Sequence, residues 1–194
     1  CFVRNPYYSF VDPDTALDAQ KPNRCAIEKT GEGTLALVKV VPSDAEQNPG
    51  DGNGRNDLVR VKEGGLMALA ADTFAGCTIA FEDGAAIVVN PTDETLAEIG
   101  MVLDRAPIIA EGAKVKLVPA FAEAPSEKGV TVTFLTVPAS TPDLSGVLKP
   151  QKVRSATGIR LRGTLQKVDK TVGGLDCTVY SATYEARGSI LELR

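Results

Sequence analysis

Short apolar runs rich in Val, Ile, Leu and Thr recur along this chain, and Gly, Pro or Asp closes each within a few residues. Runs of this length put alternate side chains on two faces and suit strands better than helices. The segments 34–41, 58–62, 77–82, 85–89, 113–118, 130–137, 159–168, 177–183 and 189–193 all read this way. Asp83 and Gly84 separate two of them, and Asp-Gly is a favoured pair for a two-residue type I′ turn, which predicts an antiparallel hairpin. Repeated short strands with such punctuation predict an all-β fold, a β-sandwich or barrel. With only 5% aromatic residues, its core must be filled by Val, Leu, Ile and Ala.

One segment reads differently. Thr92 can cap a helix, and Asp93 and Glu94 sit where the helix dipole favours anions. Leu96, Ile99, Leu103 and Ala106 fall on one stripe, and Pro107 stops the pattern. This predicts one short α-helix over 93–106, its apolar stripe turned to the core. No internal repeat is visible.

The first thirty residues read as an extended arm. Pro6, Pro13 and Pro22 forbid a long helix and bias the chain towards extended structure. Phe2, Tyr7, Tyr8 and Phe10 supply four of the ten aromatic residues, so the arm wants a surface to lie on. Residues 31–194 then form a single β-rich domain. Of the four cysteines, Cys1 and Cys25 are candidates for a disulfide, while Cys77 and Cys177, inside β-type runs, suit buried free thiols.

The chain has no histidine and no tryptophan. Without histidine there is no Ser-His or Cys-His dyad and no HExxH zinc site. No SxxK or GxSxG arrangement is present either, so no catalytic residue is singled out. The loop 43–57 carries Asp51, Asn53 and Asp57. An EF-hand, however, needs an oxygen ligand where Arg55 stands, a glycine where Asn56 stands and a glutamate where Lys62 stands. Those carboxylates and amides are better read as hydrated, and neither a metal nor a cofactor is implied. No apolar run approaches the roughly 18 residues of a spanning helix, which predicts no membrane span.

Charge is divided unevenly. Residues 1–148 hold 12 basic and 21 acidic side chains, whereas residues 149–194 hold 9 basic and 4 acidic. Lys149, Lys152, Arg154, Arg160, Arg162, Lys167 and Lys170 crowd one stretch with Asp169 as its sole anion. Strand alternation puts Arg160 and Arg162 on the face opposite Ile159 and Leu161. A basic face on an otherwise acidic chain suits contact between copies. The overall charge of −4 and the lack of aromatics among these cations argue against nucleic acid.

The resulting expectation is a non-catalytic structural subunit, of a phage or virus capsid, tail or decoration layer or of a surface filament. Its partners are copies of itself or other assembly subunits; no small-molecule ligand is indicated. Phe2, Tyr7, Tyr8, Phe10, Arg160 and Arg162 are the expected interface residues, and the location is a virion or the extracellular surface. The alternative is an extracytoplasmic binding module, or a lipoprotein acylated at Cys1, recognising a glycan or a protein. Burying four aromatic side chains yields roughly 1.5–3 kcal/mol each, against about 1 kcal/mol or more of backbone entropy per ordered residue. The arm therefore needs a broad partner surface. Deleting residues 1–24 is expected to leave a folded domain that no longer assembles, with circular dichroism unchanged and the sedimentation coefficient reduced.

Overall fold

The computed structural model describes residues 25–40, 58–91, 96–125 and 129–186. Fourteen strands occupy these residues, in three sheets around one core. The first three circuits of the chain set the pattern. β1 (Cys25–Lys29) lies in a first sheet and β2 (Thr34–Leu37) in a second. β3 (Leu58–Val61) returns to the first sheet and β4 (Gly64–Ala68) to the second. β5 (Thr78–Phe81) and β6 (Ala85–Val89) repeat the step. After β7 (Met101–Val102), which joins a third sheet, β8 (Ile108–Ile109) and β9 (Val115–Pro119) make a further circuit.

Every pairing within the first two sheets is parallel. Parallel neighbours need a long crossover, usually a helix packed on the sheet. Here the crossovers from β1 to β6 each run through a strand of the other sheet, so this part of the chain winds in the manner of a short β-helix, whereas β9 reaches β11 (Leu148–Pro150) through β10 (Val130–Pro138) of the third sheet. Successive corners are also bonded: Glu82 N–H donates to Val61 O at 2.9 Å, and Ala110 N–H to Phe81 O at 3.0 Å. Stacking in register aligns Leu35, Leu66, Ile87 and Leu117, all buried, in one column of the second sheet. A second column runs Val61, Phe81 and Ile109 in the first. β6, in the middle of its sheet, is buried at all five positions.

The third sheet is mixed. β10 (Val130–Pro138) lies between β7 and β14 (Leu175–Ala186). β13 (Arg160–Val172) flanks β14, and β12 (Val153–Arg154) caps the first residues of β13. β11 (Leu148–Pro150) extends the second sheet beside β9.

Three expectations are corrected. The expected β-sandwich or barrel is overturned by the two all-parallel sheets. The hairpin at Asp83 and Gly84 is absent because β5 and β6 belong to different sheets. The chain does turn there: Gly84 has φ of 88°, Asp83 does not share a positive φ, and Ala85 N–H donates to Glu82 O at 3.2 Å. One positive φ at the second central position fits a type II corner, which redirects the chain instead of pairing it. The helix over 93–106 is also overturned, since 96–99 form a turn and Met101 and Val102 a strand. Gly100, at φ 61°, lies against the backbone of Phe134, where a Cβ would come within 2.5 Å of the carbonyl carbon. Thr136 donates its hydroxyl hydrogen to Ile99 O at 2.6 Å, and Leu103 N–H donates to Thr136 O at 2.9 Å. The contacts with β10 override a local helical pattern of modest propensity. Leu96 and Leu103 of the stripe are nevertheless buried, while Ala106 is exposed. The loop 43–57 and the run 189–193 lie outside the described residues.

A buried cation locks the first two corners together. Lys29 is fully buried, and its ammonium donates to the carbonyls of Thr30 (2.9 Å), Gly31 and Glu63 (3.0 Å). Three carbonyls match the three hydrogens of the group, which is how an ammonium tolerates burial. Gly64 closes the same space. At φ 76° it sits where a Cβ would collide with the carbonyl oxygens of Gly31 and Gly33 and come within 2.6 Å of Lys29 Nζ. Lys29→Met and Gly64→Ala are each expected to cost at least about 2 kcal/mol, through stranded carbonyls and backbone strain respectively. Thermal melts should show Tm falling by about 4–8 °C for either variant.

Candidate interaction surface

The hairpin β13–β14 is the most prominent feature of the third sheet. Gly173 and Gly174 have φ of 58° and 83°, the two positive values a type I′ turn requires. The strands pair without a break from Leu161↔Ala186 to Val172↔Leu175. Its base is anchored. Leu161, Ala182, Tyr180 and Tyr184 are buried on the inner face, and the Tyr184 ring meets Phe134 edge-on at 6.4 Å.

Tyr180 ties the hairpin to the loop 139–147. Its hydroxyl oxygen accepts the Leu144 N–H at 2.9 Å, and the hydroxyl donates to Asp143 Oδ1 at 3.2 Å. Ser145 gives the same carboxylate oxygen a hydroxyl hydrogen bond at 2.8 Å and its N–H at 3.1 Å. Lys167 Nζ stands 3.5 Å away. Chiefly through Ser145, with Lys167 adding to it, the Asp143 carboxyl is held below its usual range. Burial pushes the Tyr180 phenol up, and the Asp143 charge adds to the effect. Burial alone raises Tyr184.

Beyond this anchor few of the described residues cover the hairpin. Residues 166–171 and 173–176 are exposed, Val168 to 54% and Leu175 to 68%. β10 accompanies β14 only as far as Cys177, and β12 covers β13 only at Arg160 and Leu161. Among the described residues, no strand pairs with the outer edge of β13 from 163 onwards.

All seven cations of 149–170 are exposed. Arg160 stands opposite Arg154 in register, and Arg162 opposite Glu185. Both arginines share a face with Val168 and Lys170, whereas Leu161 points to the core. Two cations were hidden from the sequence. Lys116 of β9 lies in register beside Lys149 of β11, both exposed, and Lys114 Nζ reaches Gly146 O at 3.0 Å. Only parallel stacking brings these distant residues together, so spacing along the chain held no sign of them.

Phe2, Tyr7, Tyr8, Phe10 and Cys1 lie outside the described residues. Cys25 is the first residue of β1, paired with Leu58. Cys77 is buried, its sulfur 3.9 Å from Ala75 O, and Cys177 is a free, half-buried thiol. Among the described residues no three His, Cys, Asp or Glu side chains group as metal ligands, and no helix is long and apolar enough to cross a membrane. No family model, curated protein or solved structure matches the chain.

The two hairpin tyrosines provide a check on the anchor. A raised phenol pKa means the folded state holds its proton more tightly than the unfolded one, so this contribution to stability is complete below pH about 10 and is lost as pH rises further. Ultraviolet titration of the native protein should show Tyr180 and Tyr184 ionising above that pH. In Asp143→Asn, Tyr180 is expected to ionise at a lower pH than in the native protein, while Tyr184 keeps its place.

Proposed function

We propose that this protein is a non-catalytic subunit of a larger assembly, joined to copies of itself or to other subunits through the β13–β14 hairpin and the N-terminal arm. The observation that carries the reading is the hairpin. A long two-stranded projection with exposed Val168 and Leu175, and with a backbone edge that no strand among the described residues covers, is costly in solution, because such edges invite pairing with other chains. An assembly subunit puts that surface to use by strand addition. Segregated charge supports the same reading, with exposed cations concentrated on 149–170 of a chain that is acidic elsewhere. The finer form, a phage or virus capsid, tail or decoration subunit or a surface filament, located on a virion or cell exterior, rests on this general character and on the aromatic arm.

Sedimentation velocity over a hundredfold concentration range tests the reading. The intact chain is expected to associate, and Val168→Asp combined with Leu175→Asp to weaken association at least tenfold without changing the melt. A chain that stays monomeric throughout would overturn the proposal in favour of a binding module with a different partner.

A further inference from the structure

The free edge of β13 carries a register that is complementary to itself. The closing pair of a two-residue hairpin exchanges both backbone hydrogen bonds, and the ladder alternates from there. Val172 faces Leu175 across Gly173 and Gly174, so even-numbered residues of β13 direct their N–H and C=O groups at β14. Odd-numbered residues, 163 to 171, direct theirs outward. The carbonyl of Ile159 fits this parity, accepting the Ser155 N–H at 2.8 Å on the side away from β14.

We infer that two copies of the protein join edge to edge through β13, antiparallel about a two-fold axis at Val168. This deepens the assembly reading above and rests on it. In this register Lys167 stands opposite Asp169 of the other copy, twice over by symmetry. Both residues are odd-numbered, so they fall in hydrogen-bonded pairs, and both lie on the hairpin's inner face. Val168 meets its own counterpart on the other face, Gln166 faces Lys170, and Leu165 faces Thr171. Neighbouring registers are worse. An axis at Lys167 or at Asp169 sets like charges against each other, an axis at Gln166 opposes Lys170 to Arg162, and an axis at Lys170 opposes that lysine to itself.

The two charges are placed to serve. Asp169 Oδ1 is steadied by the Thr178 hydroxyl at 2.8 Å, leaving its other oxygen for a partner. Lys167 is 40% exposed and meets Asp143 at 3.5 Å, which leaves ammonium hydrogens to spare. The exposed stretch has no proline, and its only glycines are those of the turn, so nothing in it blunts pairing except its charges. Those same charges then act as a register key against the neighbouring alignments.

The test is a charge-swap series on the full-length chain, read by sedimentation equilibrium with melts as the folding control. Lys167→Asp and Asp169→Lys should each weaken self-association at least tenfold, because each places like charges opposite one another. An equimolar mixture of the two variants should associate again, since a doubly acidic edge then meets a doubly basic one. Thr171→Pro removes an outward N–H and the exposed hydroxyl bond to Asp176 but none of the backbone bonds to β14, so it should melt close to the parent yet fail to pair. Association unaffected by either single swap, or a mixture that stays apart, would sink the β13 register while leaving an assembly through other surfaces intact. A parent chain that is monomeric at every concentration would sink the assembly reading as well.

Discussion

In-register hydrogen bonding between successive parallel circuits is the constraint on which the rest of this structure depends. Each circuit contributes a strand to the first sheet and one to the second, and a strand in either position satisfies its backbone only through the circuits above and below. Leu35, Leu66, Ile87 and Leu117 can stack as a column because the corners between sheets repeat at matching heights. Lys29 matters out of proportion to its size for that reason. It ties its own corner to that of the next circuit through carbonyls of Gly31 and Glu63, where no apolar side chain could satisfy them.

A stack of parallel circuits must end somewhere, and its ends are the difficult places. At one end the chain changes style, adding β11 to the second sheet and then running out into an antiparallel hairpin. Tyr180 and Tyr184 root that hairpin in the core, while its outer half projects beyond the strands that cover its base. Anchored at the root and uncovered at its outer edge among the described residues, the hairpin fits the docking proposed above: its backbone is already paired, so adding a strand would cost less conformational entropy than ordering a loop.

The contrast between Gly84 and the pair Gly173 and Gly174 shows where local pattern succeeds and fails. Asp-Gly between two β-type runs is the expected signature of a hairpin, yet Gly84 alone has positive φ and the chain turns a corner between sheets. Two successive glycines with positive φ make the true I′ turn. The helix over 93–106 failed for a related reason. Its stripe of Leu96 and Leu103 is buried as periodicity implies, but burial alone does not choose between a helix and a turn leading into a strand. Thr136 and the backbone of Phe134 made that choice.

Local composition determined where most strands lie. The runs at 58–62, 77–82, 85–89, 130–137, 159–168 and 177–183 each match a strand to within a few residues, because β-branched and apolar alternation acts over that length. It also placed the cations of 149–170 on the surface, charged side chains being too costly to bury unpaired. Only the tertiary structure decided which strands are neighbours, and in which direction. A parallel pair joins residues separated by a whole circuit, so Lys116 meets Lys149 and Leu35 meets Leu66 through contacts that no window of the sequence contains. The free edge of β13 was hidden for the same reason: an edge is defined by the strand that is not beside it, which is a property of the whole sheet.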